Sequence, residues 1–303
     1  MTEKMPGARL RALIEKRATV AAGVFDTLSA TLAEQAGFDA LHITGFGVEA
    51  TLLGTPDMGM VTLTELADIV RRMAAAVEIP IICDVDIGFG EIESVARTVR
   101  LIRHSGAAAM HIEDAGPPKR NPFVPGQVML PRHLAVTRVA AAVEARGDSD
   151  FVIIARSDAD CTSVDEVIER CNLYLKAGAD VAMPVTARIN GTPMGSLPVD
   201  EQLEWHRHIV SRIEGPVLGM AVPPGKTPQD MLECGYAIMI VPTLTILPAA
   251  QAMWNALLAA SPNPARRPGE IANPGDLLYR LGIQEFMDRQ ERHIAREQGE
   301  LGQ

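Results

Sequence analysis

The segment PIICDVDIGFGEIESVARTVRLIRHSGAAAMHIED, residues 80–114, contains a strand, a helix and a second strand in that order. An apolar run (80–86) ends in two acids, a stretch with helical spacing follows, and a second apolar run (108–114) resumes after SGAAA. Gly106 sits just past the helical pattern, where a left-handed residue stops a helix cheaply. AGFDA and AGADV repeat that punctuation elsewhere in the chain. Working outward, further apolar runs fall at 19–25, 40–44, 151–158, 180–185, 216–222 and 237–242. Helical stretches alternate with them, so the chain predicts βα units around a parallel sheet whose strands are covered on both faces. Eight such units in about 250 residues is the size of a (β/α)8 barrel. A doubly wound open sheet is the rival, but FDTLSA follows the first strand where that fold would place a glycine-rich phosphate turn. The predicted organisation is a barrel with an N-terminal helix over 1–260, then a Pro-rich linker and two C-terminal helices over 261–303. Helices beyond the barrel are expected to pack on a neighbour, making a homo-oligomer.

Composition narrows the function. Hydrophobic residues are 47% and charged residues 22%, an ordinary globular balance. A net charge of −10 with no basic run argues against nucleic acid, whose affinity comes from neutralising phosphates. No apolar stretch approaches the ~20 residues that span a bilayer, and the N-terminus lacks a signal-peptide core, so a cytoplasmic protein without a membrane partner is expected. Cys83, Cys161, Cys171 and Cys234 show no metal-ligand spacing and are expected to be reduced thiols in the interior.

In a barrel, chemistry gathers at the C-terminal ends of strands. Those ends carry His42, Thr44 and Gly45, then Asp84 and Asp86, then His111, Glu113 and Asp114, then Arg156 and Asp158. Asp84, Asp86 and Glu113, with Asp57 on the loop after the second strand, form a predicted acidic cluster. Such a cluster calls for a cation, and all-oxygen ligands suit Mg²⁺ or Mn²⁺. Asp84 and Asp86, two apart, are expected to point the same way from a strand end. Arg156 offers a fork for a substrate carboxylate. The irregular loop 115–127 has the length of an active-site lid, with Lys119 and Arg120 at its tip. His206 and His208 are expected at the surface of a helix, and the charges at 265–267 are expected to be solvated.

The runs FDTLSATLAEQAGFDALHITGFG, LGTPDMG, DVDIGFG, HIEDAGPPKR and FVIIARSDA together resemble the isocitrate lyase / phosphoenolpyruvate mutase superfamily, nearest its methylisocitrate lyase branch. The resemblance spans about residues 7–300. It implies an (α/β)8 barrel with a swapped C-terminal helix, a tetramer, Mg²⁺, and cleavage next to an α-oxyacid carboxylate through an enolate. By the same resemblance, Thr44, Gly45 and Arg156 hold the substrate's carboxylate and oxo group, and Asp84 is the direct metal ligand. Asp57, Asp86 and Glu113 are its outer partners, His111 lines the site, and Lys119 and Arg120 are the lid's basic pair.

The chain also departs from that pattern. Asn121-Pro122-Phe123 stands where the lyases carry Cys-Gly-His, and an Asn there resembles the phosphoenolpyruvate mutase lid. Val185 replaces a Glu, Met220 an Asn, Leu244 a Ser and Phe46 a Gly. The oxyacid end survives while groups for distal carboxylates become apolar, and an unpaired carboxylate against such a wall costs several kcal/mol. The expected reaction is metal-dependent cleavage of a carbon–carbon bond in a 2-hydroxy or 2-oxo acid of methylisocitrate, alkylmalate or oxaloacetate type. Lys119, His42 or a metal-bound water would handle the proton, with Arg120, Asn121 and His111 beside them. Carbon–phosphorus chemistry on phosphonopyruvate-like acids, and a ligand-binding barrel without turnover, are the alternatives.

Overall fold

Each predicted apolar run forms a strand. The computed structural model describes residues 5–117, 119–121, 124, 126–262 and 269–300. Pro122, Phe123 and the 265–267 cluster lie outside the described residues. The strands are β1 (Thr19–Val24), β2 (Ala40–Ile43), β3 (Ile81–Asp84), β4 (Ala109–Glu113), β5 (Val152–Ser157), β6 (Val181–Pro184), β7 (Leu218–Gly219) and β8 (Ile238–Val241). All pair in parallel in chain order, β8 returns to β1, and a bridge from Ala182 to Val217 closes the ring. A short hairpin, Arg188–Ile189 with Thr192–Pro193, follows β6.

The helices form where the sequence supplies their ends. They are α1 (Pro6–Lys16), α2 (Thr27–Gln35), α3 (Gly45–Leu52), α4 (Leu63–Ala76), α5 (Ile92–His104), α6 (Arg132–Arg146), α7 (Val164–Lys176), α8 (Val199–Ser211), α9 (Pro228–Glu233), α10 (Ile246–Ala260), α11 (Pro274–Arg280) and α12 (Ile283–Glu300). Asp26 with Ser29, and Thr62 with Glu65, make reciprocal caps for α2 and α4. Gly106, at φ +100°, ends α5 beside Ala74, and a Cβ there would sit 2.7 Å from the Ala74 side chain. α11 begins at Pro274 because Asn273 caps it through the Asp276 amide.

Apolar residues divide into an inner and an outer core. Val24, Leu41, Ile43, Cys83 and Met110 face the helices, while Ala21, Ile82, Ile154, Met183, Leu218 and Ile240 fill the barrel with Leu10 and Ile14 of α1. Arg11 ties α1 to the Asp150 and Phe151 carbonyls and to Asp180, all at strand entrances. With α1 sealing that end, the C-terminal rim is the open mouth of the barrel. At the rim, Ile271, Leu277 and Leu278 pack against Phe46 and Ile246.

Two expectations fail here. His206 is buried at 1% exposure, because α8 turns it inward to meet the Tyr236 hydroxyl, 2.7 Å from Nδ1; His208 is exposed as expected. Cys161 is exposed in the short turn after β5, while Cys83, Cys171 and Cys234 are buried free thiols. Among the described residues no helix is long and apolar enough to cross a membrane.

Candidate active site

Four adjacent strands deliver the polar side chains. β2 ends at His42 and Thr44, β3 at Asp84, β4 at His111 and Glu113, and β5 at Arg156, and the register sets Asp84 beside His111 and Glu113 beside Arg156. The His42 and His111 rings stack with centroids 5.1 Å apart, and their Nε2 atoms are 2.9 Å apart. His111 Nδ1 lies 3.5 Å from Asp84 Oδ1. Burial, and then the neighbouring imidazole, hold His42 down at about 3; burial also lowers His111. Both rings are therefore neutral at pH 7. A proton on His111 Nδ1, facing Asp84, would make His42 Nε2–H the donor to His111 Nε2; among the described residues neither ring's Nδ1 has a hydrogen-bond partner.

Asp84 is the anionic centre. Burial opposes its ionisation, but His111, Arg156 and Lys119 outweigh burial and hold it well below the usual carboxylate range. Its Oδ1 accepts from the Asp86 amide at 3.1 Å, and the Gly45 amide lies 3.4 Å from Oδ2. A Cβ at Gly45 would stand 3.1 Å from Oδ2, so the glycine allows this approach. β3 stops at Asp84, and Asp86 sits in the following turn at φ +48°. The two acids therefore do not share a strand face, because the turn breaks the two-residue period. Asp86 instead reaches Lys119, 2.8 Å away, and burial pushes its carboxyl up to about 6.

Asp57 gathers two side chains of the loop after β4. Its Oδ1 pairs with Lys119 Nζ and its Oδ2 accepts from Asn121 Nδ2 at 2.6 Å. Lys119 and Asn121 are both buried. Burial works against the Lys119 charge, but Asp57, Asp86 and Glu113 hold the ammonium well above its ordinary range. Arg120 turns the other way, with Nη2 donating to Gln290 of α12 at 2.8 Å.

The Arg156 fork is already engaged. Nε and Nη2 each lie 2.6 Å from an Asp158 oxygen, and Nη1 lies 3.1 Å from Glu113 Oε2. A substrate carboxylate would meet the outer guanidinium edge, with Asp158 setting the angle. Asp114 is structural, binding the Ser157 and Tyr174 hydroxyls, the Asp158 amide and Arg170.

A cavity of about 50 Å³ lies over these groups. Its wall is two-sided. His42, Thr44, Asp84, His111 and Arg156 supply the β2–β5 half, with Asp57 and Asn121; Met183, Met220, Ile240, Pro242 and one polar residue, Thr243, supply the β6–β8 half. Phe46 and Pro274 also line it. Sequence reading missed Asp158 as the Arg156 anchor and Pro274 as lining. The SDAD spacing could have suggested the first, but nothing local marks the second. Val185 is buried, with its amide on the Ser157 carbonyl, and Leu244 is partly exposed; neither is among the described residues lining the cavity.

The donor set fits a cation. Asp57, Asp84, Asp86, Glu113 and Asp158 face the side-chain cations Lys119 and Arg156. Among the described residues neither Glu113 oxygen has a hydrogen bond, although Oε2 forms the Arg156 ion pair, and burial pushes this carboxyl well above its usual range. Among the described residues, His42, Asp84 and His111 have donor atoms mutually within 4.8 Å. That group includes Asp84, and its other two members are imidazoles where acidic partners were expected. Asp57 and Asp86 are drawn off by Lys119.

A profile described as phosphoenolpyruvate phosphomutase matches residues 10–260. The chain is 36% identical over 290 residues to a 2-methylisocitrate lyase of Aeropyrum pernix, covering 93% of this chain and 86% of the relative. Among solved structures it is similar to oxaloacetate acetylhydrolase bound to 3,3-difluorooxalacetate, with TM-score 0.76, 30% identity and coverage of 96% and 98%. It is also similar to 2,3-dimethylmalate lyase, with TM-score 0.74, 33% identity and coverage of 95% of each chain.

Proposed function

The chain belongs to the phosphoenolpyruvate mutase / isocitrate lyase superfamily, and from that membership we propose that it is a Mg²⁺-dependent lyase acting on a small 2-hydroxy or 2-oxo acid with an alkyl-rich distal part. The observation that carries this reading is the two-sided cavity, ionic along β2–β5 and, apart from Thr243, apolar along β6–β8. The relatives named above are named for methylisocitrate, oxaloacetate and 2,3-dimethylmalate, each a 2-hydroxy or 2-oxo acid, and the last of these carries the alkyl-substituted distal part. Methylisocitrate itself is disfavoured, because its further carboxylate would meet Met220 and Ile240 unpaired.

Asp84, with Glu113 and Asp86 as outer partners, would hold the cation; bound there, it supplies Lewis-acid stabilisation of charge on the substrate's α-oxygen. Arg156, angled by Asp158, binds the α-carboxylate, and the Thr44 and Gly45 end of β2 flanks it. His42, Lys119 or a water on the metal would take the 2-hydroxyl proton, burial leaving His42 the weakest base of these, and the ionised Lys119 can return a proton to the departing carbanion. Lys119 and Asn121, held by Asp57, cover the reacting bond and exclude water. A homo-oligomer belongs to the same reading, since Leu28, Leu32, Met253 and Leu257 leave apolar surface on α2 and α10 exposed.

The test is release of 2-oxo acid, with Mg²⁺ present, from oxaloacetate, alkyl malates, methylisocitrate and phosphonopyruvate. EDTA-sensitive turnover of an alkyl malate or oxaloacetate supports the reading. Phosphate from phosphonopyruvate would replace it with carbon–phosphorus chemistry. Silence throughout would sink it.

A further inference from the structure

Glu49 lies on α3, outside the cavity, yet its side chain is buried at 2% exposure and has an unusual set of partners. Its carboxylate accepts from three successive backbone amides: Met58 at 3.1 Å, Gly59 at 3.0 Å and Met60 at 3.3 Å. A buried carboxylate is costly unless its oxygens are satisfied, and here backbone donors satisfy both. Those amides follow Asp57 directly. The turn they belong to is built for the lid in two ways. Asp57 receives Lys119 and Asn121 on its two oxygens. Gly59, at φ +74°, also presents a bare Cα to the Lys119 stem, where a Cβ would stand 3.2 Å from Lys119 Cβ. Nothing else about a helix-borne glutamate requires it to grip this turn.

We propose that Glu49 is a positioning residue that fixes the Asp57–Met60 turn in the one geometry able to seat Lys119 and Asn121 over the cavity. It touches no reacting atom. Without it, three amides lose their acceptor, the turn relaxes, and Asp57 no longer meets both lid groups at once. The sequence context supports a dedicated role, because α3 is otherwise apolar (GFGVEATL) and Glu49 is its single charged residue.

Glu49→Gln keeps the volume but turns one acceptor into an NH₂ donor facing backbone N–H groups, whereas Glu49→Ala removes both acceptors. Lys119 accessibility is read by brief acetylation with acetic anhydride and mass spectrometry of the native full-length protein. The expected result is a several-fold rise in Lys119 labelling in both variants. The kinetic arm rests on the proposed lyase activity, and there kcat/KM should fall about 10–100-fold, the range for outer residues that orient a site. If Glu49→Ala does not fold, Glu49→Gln alone decides. Unchanged Lys119 labelling in folded Glu49→Gln overturns the inference, whatever happens to Tm, because a merely structural glutamate would lower Tm without selectively freeing Lys119. Should wild type turn over no acid, the lyase reading fails while the labelling contrast still decides the role of Glu49.

Discussion

His42 and His111 are joined Nε2 to Nε2 at 2.9 Å inside the barrel mouth, so one ring donates and the other must be a neutral acceptor. Two imidazolium ions could not sit this way. With His42 held at about 3, its ring carries no charge anywhere between pH 5 and 8. An NMR titration of the histidine Cε1 signals should show the His42 resonance unmoved across that window. Movement with a midpoint near 6.5 would refute the tautomer chain.

Asp84 should control metal dependence. In wild type, Mg²⁺ at 100 times its Kd adds about 2.7 kcal/mol of stability, visible as a rise in Tm that EDTA reverses. Asp84→Asn should abolish that rise and cut turnover by about 100-fold or more, beyond what outer partners cost. A Tm that still responds to Mg²⁺ would place the ion elsewhere.

Asp158 holds Arg156 by two 2.6 Å bonds, and neither group is solvent-exposed. Removing one partner leaves a buried charge uncompensated, so Asp158→Ala should destabilise the fold by about 3–5 kcal/mol in urea unfolding. It should also raise KM, because the guanidinium loses its angle. A change confined to stability would show that Arg156 is not the substrate's anchor.

Met220 lines the apolar half of the cavity, beside Ile240. Met220→Asn supplies a donor for a distal carboxylate, worth about 1–3 kcal/mol. The kcat/KM ratio for methylisocitrate over an alkyl malate should then rise about 10-fold or more. An unaltered ratio would mean that the β6–β8 half does not select the substrate.

His206 tests the barrel itself. Burial lowers it to about 4 from an unfolded value of 6.5, so the unfolded chain binds its proton more readily in that window. Stability is full above pH 6.5 and declines as pH falls towards 4, by on the order of 3 kcal/mol from this group. His206→Gln keeps an acceptor for the Tyr236 hydroxyl without that titration. Equilibrium unfolding at pH 7 and pH 5 should show a smaller acid loss in the variant than in wild type; equal losses would count against the assignment.

The eight strands, the closing helices and the residues at the strand ends were legible because a parallel barrel imposes a strict local code. Strands covered on both faces must be apolar runs, Gly37, Gly106 and Gly178 must end helices at positive φ, and polar residues survive only where strands leave the core. His206 and Asp86 were misplaced for the converse reason. Whether a helical histidine faces inward depends on a Tyr236 thirty residues away, and the turn after Asp84 overrides the strand period by which the two acids would share a face.

The amino-acid sequence by itself determined the barrel and the polar residues at its strand ends, since both follow from residue type and short-range spacing, while the oxyacid roles of those residues rest on resemblance to the superfamily. Tertiary structure decided which of those groups meet. Lys119 goes to Asp57 and Asp86, Arg156 spends its fork on Asp158, His42 bonds His111, and Pro274 returns to line the cavity. Such pairings are settled by competition among buried charges at long sequence separation. The cost of leaving any one of them unpaired depends on every neighbour, which no local pattern records.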